Sequence, residues 1–149
     1  GVSKDDFEIV KLIGRGTYGK VFLARKRDDG RQYAVKVFRK DFLLRNELVA
    51  STRAERDVLR AVRSPFIVRM HYAFQSEHRL YIVMDFVRGG QLFFHLREQT
   101  CFAPAAVRFY VAELAVAIGC LHRNRIVHRD LKPENVLLDA DGHVRLADL

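Results

Sequence analysis

The hydrophobic period of this chain changes at Arg88–Gly90, and that change constrains the fold more than any other feature. Before it, apolar residues alternate or run in short blocks bounded by turn residues, which is the pattern of strands. "FEIVKLIG" (7–14), "KVFLAR" (20–25) and "RQYAVKVF" (31–38) read as three strands. A glycine-rich turn separates the first two, and "DDG", a hairpin signal, separates the next two. "IVRMHYAF" (67–74) and "RLYIVMDF" (79–86) add two more across a short polar turn. Between these groups "NELVASTRAERDVLRAV" (46–62) has a helical pattern: Leu48, Leu59 and Val62 share a face with Val58 beside them, and Pro65 stops it. After Gly90 the period becomes helical. "QLFFHLREQ" (91–99) is a short helix and "APAAVRFYVAELAVAIGCLHRN" (103–124) a long one. In the long helix Val107, Val111, Leu114, Ile118 and Leu121 recur at the spacing of a buried stripe. "VLLD" and "HVRLAD" then form a hairpin around "ADG". The expected class is α+β: a five-stranded antiparallel sheet with one main helix, followed by helices and a small hairpin.

The totals narrow the function classes. A chain of 149 residues suits one ordinary domain, and 49% hydrophobic with 30% charged residues is a globular composition, not a disordered one. No apolar run approaches the length of a membrane span. "GVSKDDFEIV" lacks the layout of a secretory signal, and Gly1 has no Ser or Thr in the place myristoylation needs. Cys101 and Cys120 are too few for a disulfide framework and point to a reducing compartment. The 26 basic residues exceed the 18 acidic ones, a net of +8. That opens phosphate ligands, anionic lipid and nucleic acid, but the basic residues are scattered, which favours a solvated surface over dedicated nucleic-acid binding. No internal repeat is present.

Three places carry chemistry. "GRGTYG" spans Gly14 to Gly19 and is followed by Val21. Glycines let backbone N–H groups approach a phosphate, although a plain glycine-rich hairpin has the same composition. A dinucleotide fold would put a helix next, and here a strand follows. Lys36 shares a strand face with Ala34 and Phe38, so it is either an edge lysine reaching water or a cation meeting a phosphate. Glu55 lies on the apolar face of its helix, where a carboxylate wants a cation, and Lys36 is the candidate. The third place is "IVHRDLKPENVLLD" (126–139), which sets six polar residue types between apolar supports.

"HRDLKPEN" puts Asp130 and Asn135 five apart with Lys132 between them. Together with "GRGTYG", "AVK", the helix Glu55 and the late Asp148, it resembles the protein-kinase family, in the right order and across the whole chain. "SPFIVRMHYAFQSEHRLYIVMDFVRGG" and "DLKPENVLLDADGHVRL" are similar to the AGC group, close to the ribosomal-S6-kinase branch. The resemblance implies a protein-kinase-like fold: residues 1–87 as the small lobe, and 88–149 as the hinge end and the start of the large lobe. It implies an ATP-dependent Ser/Thr kinase that transfers the γ-phosphoryl group of MgATP to protein Ser or Thr. Gly14, Gly16 and Gly19 would cover the ATP phosphates, with Val21 and Ala34 among the nucleotide contacts. Lys36 would pair the α/β-phosphates, held by Glu55. Met84 would be the gatekeeper, the backbone of Asp85 and Val87 would bond the adenine edge, and Gln91 would meet the ribose. Asp130 would take or orient the substrate hydroxyl's proton, Lys132 would steady the phosphoryl group, and Asn135 and Asp148 would hold Mg²⁺. Arg129 resembles the arginine that docks a phosphorylated activation loop. The implied partners are ATP, a Ser/Thr protein substrate with basic residues and an upstream activating kinase, in the cytoplasm with the nucleus as a second location. A catalytically inactive nucleotide-binding or interaction fragment is the alternative.

The pattern departs from the family in three ways. The sequence stops at Leu149, before the glycine of the D-F-G motif, so the resemblance implies a partial domain whose long helix leaves part of its stripe uncovered. Leu149 stands where that motif has Phe. Gln91 stands where the group usually has Asp or Glu, which leaves Glu134 as the acidic partner for substrate arginine.

Overall fold

Strands form at all five places where apolar residues alternate or run in short blocks. In the computed structural model, which describes residues 1–16 and 19–148, the chain divides into two units. The first comprises Gly1–Asp57 and Arg69–Phe86, and the second Val58–Val68 and Val87–Leu149. Thr17 and Tyr18 of the "GRGTYG" motif and Leu149 at the D-F-G position lie outside the described residues.

The first unit holds β1 (Phe7–Arg15), β2 (Gly19–Lys26), β3 (Gln32–Arg39), β4 (Met70–Gln75) and β5 (Arg79–Asp85). They form one antiparallel sheet in the order β1-β2-β3-β5-β4. Because successive side chains point to opposite faces, the two faces differ in composition. Phe7, Ala24, Tyr33, Val35 and Val83 pack together as an apolar and aromatic cluster on one face. Phe7 meets Tyr33 edge-on and stacks with Phe74. Each fully buried side chain of this size contributes roughly 1.5–3 kcal/mol.

Two helices follow β3 where one was expected. α1 (Lys40–Arg45) buries Leu43, and α2 (Val49–Ala61) starts three residues later than the expected Asn46. The break between them is local chemistry. The Asn46 side chain donates to the Phe42 carbonyl, Glu47 takes a positive φ of 56°, and Leu48 N–H returns to the Leu43 carbonyl. These bonds satisfy the last carbonyls of α1. A cavity of about 320 Å³ lies in this unit, with Leu43, Val49, Thr52, Phe74 and Tyr81 in its wall and Lys40, Arg53 and Arg56 around it.

The second unit holds α3 (Leu92–Gln99), α4 (Pro104–Arg123), β6 (Val136–Leu138) and β7 (Val144–Leu146), the last two paired antiparallel. Its core joins Val62, Ile67, Leu92, Ala117, Leu121 and the hairpin residues Val136, Leu138, Val144 and Leu146. Pro104 opens α4, where a missing N–H costs nothing. The buried face of α4 differs from the expected stripe. It runs through Glu113, Ala117, Cys120 and Leu121, while Val107 and Val111 are exposed. Ala117 is fully buried, and Leu121 of the expected stripe is buried with it. α4 is also long and apolar enough to cross a membrane by length and composition, which corrects the expectation that no stretch reaches that length. A core helix passes the same test, and α4 contributes Ala117, Cys120 and Leu121 to the core.

Gly89 is a packing residue as well as part of the point where the period changes. Its N–H donates to the Leu138 carbonyl at 2.8 Å, and Leu138 N–H donates to the Gly90 carbonyl at 2.9 Å. A Cβ on Gly89 would collide with the Leu138 carbonyl oxygen. The sequence gives no sign of this contact beyond the glycine itself.

Candidate active site

In the first unit the ladder register gathers the expected nucleotide residues. Val21 pairs with Lys36 and Lys36 with Ile82; Ala34 pairs with Leu23 and Met84. Directly opposed residues share a face, so Val21, Ala34, Lys36 and Met84 all lie on one side of the sheet. Lys36 Nζ donates to Glu55 Oε1 at 2.8 Å, and the two side chains are 14% and 13% exposed. The helix and strand thus place a paired ammonium on a largely apolar face, as their patterning requires. Lys36 also lies 5.2 Å from the Phe38 ring centroid.

β1 and β2 pair as antiparallel neighbours on either side of the glycine-rich segment. Gly14 pairs with Val21 and Arg15 with Lys20, and Gly16 N–H donates to the Gly19 carbonyl at 2.8 Å. Gly19 itself has no room for a side chain: a Cβ would come within 2.5 Å of the Val37 carbonyl oxygen. The helix that a dinucleotide motif needs is absent here, because β2 follows directly. Asp85 ends β5 one residue past Met84, so its side chain belongs to the opposite face, and its N–H donates to the Arg69 carbonyl at 3.0 Å.

In the second unit the polar loop is built on three fixed points. His128 accepts from Asp130 N–H through Nδ1 at 3.2 Å, and its Nε2 donates to the Ala147 carbonyl at 3.0 Å. Donation to a carbonyl places the ring proton on Nε2. The Asn135 amide donates to the Asp130 carbonyl at 2.8 Å and to its Oδ2 at 3.2 Å. Lys132 Nζ lies 3.2 Å from the same Oδ2. Ala147 N–H donates to the Asn135 carbonyl at 2.9 Å, so the residue before Asp148 is bonded through both its N–H and its carbonyl. Arg129 and Asp148 both take left-handed backbone conformations, with φ of 72° and 53°. Non-glycine residues hold such angles only where the surroundings enforce them, and they cluster at functional sites.

The donor set suits a hard cation. Asn135 spends its amide N–H₂ on Asp130, so the oxygen ligand it could offer is its Oδ1, and Asp148 would add a carboxylate. Among the described residues no cluster of three or more His, Cys, Asp or Glu could hold a metal alone, so any ion here would draw on a mixed oxygen set. Val87 and Gln91 belong to the second unit, where Gln91 forms an isolated bridge with Leu137.

Residues 7–149 match the protein kinase domain. The chain belongs to the protein kinase family. It is 50% identical over 147 residues to a probable serine/threonine-protein kinase of Dictyostelium discoideum, which covers 99% of this chain and 32% of that protein. It is 52% identical over 144 residues to serine/threonine-protein kinase Sgk2 of Rattus norvegicus, covering 96% of this chain and 39% of that protein. Against serine/threonine-protein kinase Sgk3 of Mus musculus the identity is 51% over 144 residues, covering 96% and 29%. These relatives agree with the AGC-group resemblance, and the chain spans about a third of their length. Protein kinases in general use ATP and Mg²⁺.

Two polar residues outside the expected set hold the two units' strands in place. His71 bonds the Asp85 carboxylate at 2.6 Å. Glu113, buried in α4, accepts from Val144 N–H at 3.1 Å and lies 2.7 Å from His143 Nδ1. The hydrogen bond and charge of Glu113 raise the His143 pKa above its ordinary value. Glu113 was open to the same argument as Glu55, since it shares a helical face with Ala117 and Leu121.

Proposed function

We propose that this chain carries the nucleotide-binding and catalytic-loop residues of a Ser/Thr protein kinase, which transfers the γ-phosphoryl group of MgATP to protein Ser or Thr. The observation that carries it is the paired Lys36–Glu55 on the sheet face that also holds Val21, Ala34 and Met84. Lys36, aimed and neutralised by Glu55, pairs the α/β-phosphates, and Gly14, Gly16 and Gly19 cover them with backbone N–H groups. The backbone of Asp85 and Val87 meets adenine, and Gln91 the ribose. Asp130 receives or orients the substrate hydroxyl, with Lys132 beside it to steady the phosphoryl group. Bound Mg²⁺ would neutralise phosphate charge, and Asn135 and Asp148 are the residues that would hold it.

The substrate is a protein Ser or Thr near basic residues, with Glu134 as an acidic partner for arginine in place of Gln91. An upstream kinase acts on the longer protein, in the cytoplasm or nucleus. The unpaired thiols of Cys101 and Cys120 fit that reducing setting.

The test is transfer of phosphate from MgATP to an arginine-rich serine peptide by the longer protein, with Asp130→Asn as the control. Transfer that the substitution abolishes supports the reading. Nucleotide binding with no transfer would replace it with a non-catalytic nucleotide-binding role.

A further inference from the structure

We propose that His71 is a positioning residue for the nucleotide base, acting through Asp85. This rests on the reading above, in which the Asp85 backbone meets adenine.

The β4–β5 ladder is irregular at this one residue. β4 pairs Met70 with Met84 and then Tyr72 with Val83, so His71 is an extra residue on β4. A bulge of this kind turns a side chain in a new direction and bends the strand. Here it turns the imidazole onto the Asp85 carboxylate. Nε2 lies 2.6 Å from Oδ1, and the side chains are 14% and 20% exposed. A carboxylate has no proton to give, so His71 donates from Nε2.

The other contacts fix both groups. Asp85 Oδ2 accepts from Arg69 N–H at 3.2 Å, while Asp85 N–H donates to the Arg69 carbonyl at 3.0 Å. Arg31 Nη2 lies 3.9 Å from Oδ1. The ring of Tyr33, directly opposite Asp85 in the ladder, meets His71 edge-on at 5.2 Å. The β4–β5 pairing reaches only as far as Met84, and Asp85 has its ladder partner in Tyr33 of β3 alone, so the His71 and Arg69 bonds are what hold Asp85 from the β4 side. The Asp85 side chain lies on the face away from Ala34 and Met84, which leaves its backbone as the part that the nucleotide would meet. Hydrogen bonds to a charged, partly buried group are among the stronger ones, so this pair sets the direction of the Asp85 carbonyl.

The experiment measures the affinity of the chain for two probes, adenosine and magnesium tripolyphosphate, by isothermal titration. His71→Ala is expected to weaken adenosine binding about three- to tenfold, a part of the worth of one such bond because it acts on the base only through Asp85, while tripolyphosphate binding stays within about twofold. His71→Gln, which keeps an amide donor at similar reach, is expected to recover most of the loss. Equal weakening of both probes would show a merely structural residue and overturn the proposal, as would unchanged adenosine binding. If His71→Ala does not fold, Asp85→Asn takes its place, with the same split expected and the same outcomes overturning it. A wild-type chain that binds neither probe overturns the nucleotide reading itself, and the role of His71 falls with it. Normal binding of both probes with no adenosine-specific loss in the variants removes His71 alone.

Discussion

Lys36 Nζ and Glu55 Oε1 are 2.8 Å apart, joining a strand to a helix nineteen residues later with both head groups nearly out of water. Removing either partner leaves the other buried and uncompensated. Glu55→Ala is therefore expected to lower stability by about 1–3 kcal/mol. Lys36→Met combined with Glu55→Ala should cost less than the sum of the two, because the double variant strands no charge. Urea unfolding of the four proteins measures this directly, and additive losses would mean the pair has no coupling.

The Glu113–His143 contact gives a pH dependence of definite sign. Glu113 raises the His143 pKa in the folded state, so folding favours the protonated imidazole. The resulting stability is fully present below the unfolded histidine pKa, about 6.5. It is lost as the pH rises through the higher folded value. Thermal melts from mildly acidic to mildly alkaline pH should show this fall, and Glu113→Gln should flatten it. An unchanged slope in that variant would assign the dependence to another group.

Gly89 and Gly90 are adjacent but should respond differently. A methyl at Gly89 meets the Leu138 carbonyl oxygen and, at 3.0 Å, the Asp139 carbonyl oxygen, and backbone atoms cannot swing aside. Gly89→Ala is expected to cost about 2 kcal/mol or more by this overpacking. Gly90 has a φ of 74° and open space around it. Asn tolerates that conformation, so Gly90→Asn is expected to cost at most about 1 kcal/mol. Chemical denaturation of both variants checks the contrast.

Periodicity made most of this fold legible. The five strands, the α2 region, α3, α4 and the hairpin stand where apolar residues alternate or recur, because burying one face of each element leaves few other choices. The Lys36–Glu55 pair was legible for a related reason: a charge on an apolar face needs a partner. α1 was not, since six residues are too few to show a helical period, and its end depends on the Asn46 and Glu47 backbone. The stripe of α4 holds at Leu114 and Leu121, which pack in the core, but not at Val107 and Val111, which are exposed; small Ala117 is fully buried, a position that apolar size alone does not point to. His71 was hidden by the bulge. Strict alternation sends its side chain to the wrong face, and only the paired register shows the extra residue.

The last prediction concerns Asn135 and Asp148. Asn135 is anchored by its amide to Asp130 and by its carbonyl to Ala147, and Asp148 follows Ala147 directly. The same four residues thus tie the proposed metal ligands to the proposed catalytic carboxylate. Asp148→Asn keeps the shape and removes one negative charge. In the longer protein, phosphate transfer should fall by at least about tenfold at fixed Mg²⁺, the scale of about 1.4 kcal/mol in the barrier. Part of that loss should return as Mg²⁺ is raised, because hard oxygen ligation weakens without disappearing. Adenosine affinity should be unchanged, since its proposed contacts are with the Asp85 and Val87 backbone. Asn135→Ala should differ: it removes a metal oxygen and also the two bonds to Asp130, so added Mg²⁺ should restore less activity. Turnover and adenosine affinity measured across a Mg²⁺ series separate the two variants. Equal recovery in both would mean that the Asn135–Asp130 bonds do not matter to catalysis, and unchanged turnover in Asp148→Asn would remove the metal role from this end of the chain.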